Sequence, residues 1–373
     1  MRIGKFKFIA LLVVAFLAGA VVMGGATAFL GSSDSDADYG KLDELYRYID
    51  ANYYDEYDKE ALLDGACKGL VAGLEDPYSS YMNKDEYENW LLNLQGEYSG
   101  VGITFTQDFE GNYVVISVNK NSPAMKAGIE TGDILIAVDG EYYDDMDLFA
   151  DAIRGEEGTK VKLTYIRDNK ENTIEMTRKK IEQYSVEYEM IDETTAHIKL
   201  TSFIENTAEE FAEALEAVKA KGAEKLVLDL RDNGGGLLNA CIDVADEFLD
   251  EGVVVYVEDK NGKRDEYLAE DGKTGLETVV LVNENSASAA EILAAAMQDN
   301  GYELVGKTTF GKGVIQSTIN LGDGSALKLT IMQYFAPDGD AINKKGVAPD
   351  HKVTDNDKTE KDEQLDKALE LLK

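Results

Sequence analysis

Beyond residue 40 the hydrophobic period of the chain changes twice, and each change marks a different kind of structure. Over 41–53, Leu42, Leu45, Tyr46 and Ile49 recur at helical spacing. A second helix is predicted through 60–74, ending at Asp76-Pro77 because the proline ring disfavours helix at the residue before it. A third covers 84–92 and carries the only tryptophan, Trp90. From Gly96 the pattern shortens to that of strands, at 101–105, Tyr113–Val118 and Lys160–Arg167, with Asp139-Gly140 as a turn. After about 183, strand and helix alternate. Strand 195–203 precedes helix Thr207–Ala220, with a capping box of Thr207 and Glu210 and an apolar stripe of Phe211, Leu215 and Val218. Strand 225–230 leads through a Gly-rich turn to helix 237–248, and strand 278–282 through a Ser/Ala turn to helix 289–298. This repetition predicts an α/β layer on a largely buried sheet. The charged tail 355–373 keeps Leu365, Ala368, Leu369 and Leu372 at helical spacing, a face to dock on the body or on a second subunit.

The N-terminus is of another kind. Arg2, Lys5 and Lys7 precede 8–30, a run of 23 residues without a charge. As a helix it spans roughly 35 Å, enough for a bilayer core of about 30 Å. A cleavable signal has a shorter apolar core, so an uncleaved signal anchor is expected, with cleavage near Ala26-Thr27-Ala28 as the alternative. Positive charge stays inside, which puts the rest of the chain outside the cytoplasm.

Composition narrows the chemistry. The chain has 373 residues, room for two or three domains, and 72 acidic against 37 basic residues give a formal charge of −35. Such a surface repels a phosphate backbone, which argues against a nucleic-acid partner. Cys67 and Cys241 fall in separate predicted helices and are expected to be unpaired thiols, a disulfide being the alternative. Two cysteines and two histidines, all far apart, give no metal-ligand spacing, and no cofactor is implied. Neither His197 nor His351 lies beside a nucleophile in sequence, so a hydrolase built on this chain would take its base from another residue type.

Two segments point to peptide binding. Ser99-Gly100-Val101-Gly102-Ile103 is followed by Asn121-Ser122-Pro123-Ala124, Ala127-Gly128 and Gly132-Asp133-Ile134-Leu135. Glycines let successive N–H groups converge on an anion, and the strand after them offers an edge for an added peptide. The set resembles a PDZ domain of the bacterial protease type. Gly100, Val101, Gly102 and Ile103 are the expected peptide-binding residues, with an apolar last side chain beside Val101, Ile103 and helix 148–153. Arg154, at the end of that helix, is expected to be solvated.

Three further segments carry reactive groups. Asp229-Leu230-Arg231-Asp232-Asn233-Gly234-Gly235-Gly236 joins a buried strand to a helix, placing backbone donors where negative charge is favoured. Asn283-Glu284-Asn285-Ser286-Ala287-Ser288-Ala289-Ala290-Glu291 raises serine on a tight turn at the start of a helix. In Phe310-Gly311-Lys312-Gly313-Val314-Ile315-Gln316, Lys312 is the one charge in an apolar, glycine-lined run. Such a lysine loses water and its pKa falls; a fall from about 10.4 to 7–8 costs roughly 4 kcal/mol and yields a neutral amine able to take a proton. Residues 306–313 nearly match a phosphate-binding loop, but Gly313 replaces its hydroxyl residue and a strand follows where a helix is needed.

Together, in this order, the three segments resemble the C-terminal processing peptidases, or tail-specific proteases. Asp76-Pro77-Tyr78-Ser79-Ser80-Tyr81-Met82 and Gly346-Val347-Ala348-Pro349-Asp350 are similar to that family's opening and closing motifs, so the resemblance spans about 40–352. It implies an α/β core with ClpP/crotonase-like layering and a Ser–Lys dyad. It assigns Ser288 as nucleophile, Lys312 as base, Gln316 as the residue orienting the lysine, and the N–H groups of Gly235 and Ala289 as an oxyanion hole. The expected organisation is a signal anchor at 1–31, a helical domain at 32–92, an inserted mainly-β PDZ domain at 93–182, a protease core at 183–352 and a helical tail at 353–373. The expected activity is cleavage near the C-termini of extracytoplasmic proteins, with peptide tails, the membrane and a second copy of the chain as partners. A non-catalytic PDZ scaffold is the rival reading. A Ser-x-x-Lys enzyme of the penicillin-binding kind is excluded, because Ser288 and Lys312 are not on one helix turn.

Overall fold

A computed structural model describes residues 40–373 except 109, 110, 120, 271, 273 and 355–360. The expected signal anchor and the linker after it lie outside the described residues; within them, no helix is long and apolar enough to cross a membrane. The described residues divide into two units, one up to Leu62 and one from Leu63 to Lys373. In the first, helix α1 (Gly40–Asn52) leads to the start of α2 (Lys59–Ala72), and Asp50 ties the bend by receiving the Lys59 ammonium at 2.6 Å and the Tyr57 hydroxyl at 2.7 Å. The α1 stripe is not covered: Leu45 is 51% exposed, and no residue of the helix is buried.

In the second unit, β1 (Ser80–Met82) precedes α3 (Lys84–Leu94), whose N-cap Asn83 and Glu86 satisfy each other's backbone N–H groups. A two-stranded stem of β2 (Glu97–Gly100) and β8 (Lys179–Glu182) closes off the module that follows the Gly100–Gly102 loop. Within it run β3 (Ile103–Gln107), β4 (Tyr113–Val118), α4 (Pro123–Ala127), β5 (Ile134–Val138), α5 (Met146–Ile153), β6 (Lys160–Arg167) and β7 (Lys170–Thr177). The sheet is antiparallel in chain order, which leaves β3 on its edge beside α5. Val115, Leu135, Phe149 and Leu163 fill its core.

The remaining chain builds the α/β body from β9 (Val186–Met190), β10 (Thr195–Leu200), α6 (Thr207–Ala220), β11 (Lys225–Asp229), α7 (Leu238–Asp246), β12 (Gly252–Asp259), β13 (Arg264–Ala269), β14 (Glu277–Val282), α8 (Ala289–Asp299), β15 (Glu303–Gly306), β16 (Val314–Asn320), β17 (Ala326–Phe335), β18 (His351–Lys352) and α9 (Glu363–Leu371). One six-stranded sheet, ordered β18-β15-β14-β11-β10-β9, is parallel except at β9. Period 2 sorts its side chains. Leu226 and Leu228 of β11 and Val280 and Val282 of β14 face a core shared with α6, α7 and α8. Val227, Val279 and Leu281 face the other way and are covered by Ala368 and Leu372 of the tail helix. The tail therefore docks on its own body. A second sheet, β1-β17-β12-β13 with β16 also on β17, stitches the opening motif to the far end of the chain.

Some local expectations change. Asn206, not Thr207, caps α6, and no capping box forms. Thr207 instead accepts the Ile204 N–H at 2.8 Å, and Glu210 accepts both the backbone and the hydroxyl of Ser185. Tertiary donors outcompeted the local ones. In the module, α5 begins at Met146 and Leu148 is 59% exposed, so Met146, Ala150 and Ile153 form the groove side of that helix. Both cysteines are free, Cys241 buried and Cys67 partly so.

Candidate active site

A cleft of about 580 Å³ opens where the loops after β11, β14 and β15 meet the cleft face of β16 and β17. Ser288, Ala289, Gly235, Lys312 and Gln316, all the expected catalytic residues, line it. The histidines do not: His197 hydrogen-bonds Asp229 at 3.1 Å and His351 hydrogen-bonds Glu303 at 3.0 Å.

The serine turn is held from inside. Ser286 is fully buried; its hydroxyl donates to the Leu230 carbonyl at 2.8 Å and accepts the Asn283 N–H at 2.9 Å, which pins the turn to the end of the β11 strand. Ser288, two residues on, has φ 57°, a conformation that costs a side-chain-bearing residue about 1 kcal/mol or more and turns it out toward the cleft. Gly235 packs directly on this turn. Its φ is +95°, and a Cβ there would meet Ser288 Cβ at 2.7 Å, so only glycine brings the backbone this close. The two expected oxyanion donors are not equivalent. The Ala289 N–H has no acceptor among the described residues, whereas the Gly235 N–H donates to Asn233 Oδ1 at 2.8 Å.

Lys312 lies on the loop between β15 and β16. Burial holds its pKa below the ordinary lysine range, the nearby charge of Lys328 adds to that, and Glu291 and Asp76 pull weakly the other way. Its Nζ stands 5.0 Å from the centroid of the Tyr78 ring. That ring is set by the opening motif, where Asp76 accepts the Tyr78 N–H and the Ser79 hydroxyl. The closing motif straps the same loop, with Val347 N–H donating to Thr309 Oγ1 at 2.7 Å. Gln316 shares the cleft but directs its amide to Thr330 Oγ1 at 3.1 Å, not to Lys312.

One residue unites the parts and was not assigned a role from sequence. Glu291, at the third position of α8, is fully buried. Its Oε2 accepts the N–H groups of Ser288 and Lys312, both at 2.9 Å. Its Oε1 accepts the Thr309 hydroxyl at 2.5 Å and the Gly311 N–H at 2.7 Å. Burial raises its pKa, and these four donors oppose the rise. Tyr334 of β17, also missed, is buried with its hydroxyl donating to the Lys312 carbonyl; burial holds its pKa well above the ordinary tyrosine value.

Residues 194–353 match Peptidase family S41, residues 114–167 a PDZ domain, and residues 26–86 the Activating protease CtpB N-terminal domain. The carboxy-terminal processing protease CtpA of Bacillus subtilis (strain 168) is 38% identical over 357 residues, covering 93% of this chain and 76% of that protein. This chain belongs to the S41 family of carboxyl-terminal processing proteases. CtpB of the same organism is 31% identical over 362 residues, covering 89% and 75%. Among solved structures, a photosystem II D1 C-terminal processing protease superposes with TM-score 0.54 at 30% identity, covering 85% of this chain and 87% of that one.

In this processing protease the strand leading into the Gly-rich loop ends in a buried charge cluster. Asp229 is 1% exposed and accepts two bonds from the Arg231 guanidinium, at 2.9 and 2.6 Å. Arg231 reaches on to Asp362 of the tail at 2.9 Å. Burial pushes the Asp229 carboxyl up, but hydrogen bonds from His197 and Arg231, and the guanidinium charge, outweigh it and hold the pKa at about 2. A carboxylate whose folded pKa lies below its unfolded value of about 3.9 contributes stability above that value and loses it as pH falls toward 2. Urea unfolding of the wild type between pH 4 and pH 2 should show a loss of roughly 2 kcal/mol from this group. Asp229→Asn should start less stable and lack that component; an unchanged slope would contradict the assignment.

Proposed function

We propose that the chain is a Ser–Lys endopeptidase that cuts near the C-termini of proteins outside the cytoplasm, delivered by its PDZ module. The observation that carries this is the shared Glu291 carboxylate, which draws the Ser288 and Lys312 backbones to one oxygen beside a desolvated amine. Neutral Lys312 takes the Ser288 proton, Ser288 Oγ bonds to the substrate carbonyl carbon, and the Lys312 ammonium returns the proton to the amine as the C–N bond breaks. Water, deprotonated by the same lysine, then cleaves the ester and restores Ser288. The Ala289 N–H is ready to receive the oxyanion; the Gly235 N–H joins it by exchanging its bond to Asn233. Each such donor is worth about 10²–10³ in rate. Gln316 acts through Thr330, whose N–H donates to Ser79 Oγ of the opening motif near the lysine. A scaffold with a dead core would gain nothing from holding a lysine away from water, so the rival reading lacks support.

Tail recognition is the second part of the proposal. The Val101 and Gly102 N–H groups have no acceptor among the described residues, and they open into the groove between β3 and α5. A Cβ on Gly102 would meet Ser122 at 2.4 Å, so the loop is built for close backbone approach. Arg154 lines both this groove and the next depression, and Trp90 lines that depression and the catalytic cleft, which makes a continuous path for a peptide. The ClpP/crotonase-like layering, a membrane anchor at 8–30 and a homodimer through the exposed α1 stripe complete the reading.

The test uses one apolar-tailed peptide as free acid and as amide. Mass spectrometry should find cleavage near the tail of the acid, lost in Ser288→Ala. The Ser288→Ala chain should bind the acid at least tenfold more tightly than the amide, and Ala150→Glu in the groove should abolish that preference. Equal binding of acid and amide contradicts tail recognition; cleavage that survives Ser288→Ala contradicts the mechanism.

A further inference from the structure

The catalytic cleft contains a second lysine for which the proposed mechanism has no use. Lys328 lies on β17 with Tyr334, and both side chains line the cleft. It lines the cleft with Ser288, Lys312 and Gln316 and is paired in register with Ser80 on one side and Thr318 on the other. It is half-buried, and burial alone accounts for its depressed pKa. Among the described residues it has no ion pair and no side-chain hydrogen bond, and its charge helps to lower the pKa of Lys312. A chain with 72 acidic residues has no shortage of carboxylates to place beside a lysine. Arg231, also withdrawn from water, has two. Withdrawing a cation from water without a partner is costly, and that cost is removed when an anion enters.

We propose that Lys328 is a specificity residue of this protease: its ammonium receives a carboxylate of the substrate chain and thereby selects which peptide bond stands at Ser288. The proposal rests on the cleft being the catalytic site. The anion is a carboxylate, since the substrate is a polypeptide. It comes either from the free C-terminus or from an Asp or Glu side chain. Lys328 stands on a strand of the cleft wall and not on the serine turn or the lysine loop, so the recognised carboxylate is a group apart from the scissile bond. The ammonium thus acts on where the chain is cut, while Ser288 and Lys312 act on the bond.

The test is a set of four peptides in the full chain: one sequence with free or amidated C-terminus, each with Glu or Gln at one internal position. Rates are read at a pH where the rates of the wild type and of every Lys328 variant have levelled off. This matters because Lys328 also bears on Lys312, which is faced in addition by Glu291 from α8 and by Asp76 and Tyr78 before β1. On the plateau Lys312 is neutral in every variant. Lys328→Gln should lower kcat/KM about tenfold to hundredfold on the peptide carrying the recognised carboxylate, and less than about twofold on its uncharged match. Lys328→Arg should keep most of the preference, and Lys328→Glu should reverse it. A loss that follows the free terminus identifies the α-carboxylate; a loss that follows Glu identifies the side chain. Groove contributions cancel, because the module is the same in both proteins. The same comparison is made for peptide binding to Ser288→Ala with and without Lys328→Gln, and should show the same charge dependence. Equal losses on all four peptides, or binding indifferent to Lys328, would overturn the proposal. If the wild type cuts none of the peptides, the catalytic reading fails, and the binding comparison still decides for or against Lys328.

Discussion

Ser288→Ala and Lys312→Ala should each abolish peptide cleavage, by about 10⁴-fold or more in kcat, with peptide binding retained. Both groups act in one step, so the double variant should be little worse than either single one. The neighbouring serine gives the contrast. Ser286 is sealed inside the turn by Leu230 and Asn283, so Ser286→Ala should cost about 1–3 kcal/mol of stability and leave a measurable rate. The pH profile follows from the direction of the lysine shift. Burial and Lys328 hold the Lys312 pKa below its ordinary value, and only the neutral amine accepts the serine proton. Activity should therefore rise with pH through that lowered pKa and then level off. Removing the positive neighbour by Lys328→Gln should move the rise to higher pH. Rate that falls with increasing pH over this range would contradict lysine as the base.

The second large effect is expected at Glu291. Four donors converge on its buried carboxylate, one from the serine turn and three from the lysine loop. Glu291→Gln keeps the shape but presents an amide NH₂ to two of those donors. Each donor left unmet in a buried place costs about 1–3 kcal/mol, and the serine and lysine loops lose their common tie. A displacement of about 1 Å between reacting groups is worth roughly 10²-fold. The variant should therefore lose about 10²–10³-fold in kcat with KM little changed, and should melt at lower temperature. A Glu291→Gln enzyme with near-normal kcat would remove the carboxylate from the account.

That three segments would meet in one cleft was legible in the sequence, because each puts polar groups beside glycine or a small residue at a strand end, and such residues have few other uses. The same was true of Gly102, whose backbone must pass Ser122 closely. What could not be read is what depends on register and on tertiary donors. Lys328 and Tyr334 are ordinary members of an alternating strand until β17 is paired with β1 and β16. Strand β13, Arg264–Ala269, is mostly charged and polar and exists as a strand through its pairing with β12. Thr207 and Glu210 have capping-box spacing, but Ile204 and Ser185 supply the donors they meet in the fold. Glu291 was visible as the last residue of the serine segment. Its four partners were not, since three come from residues 309–312, on the far side of α8 and β15 in the chain.

The most direct measurement of the central claim is covalent. The full chain is incubated with a peptidyl phosphonate ending in an apolar residue, which traps an activated serine, and the adduct is located by peptide mass spectrometry. The expected result is a single adduct on Ser288, formed faster as pH rises and not formed in Lys312→Ala. An adduct on Ser286 or elsewhere, or labelling of Ser288 that is as fast without Lys312 as with it, would contradict the Ser288–Lys312 mechanism.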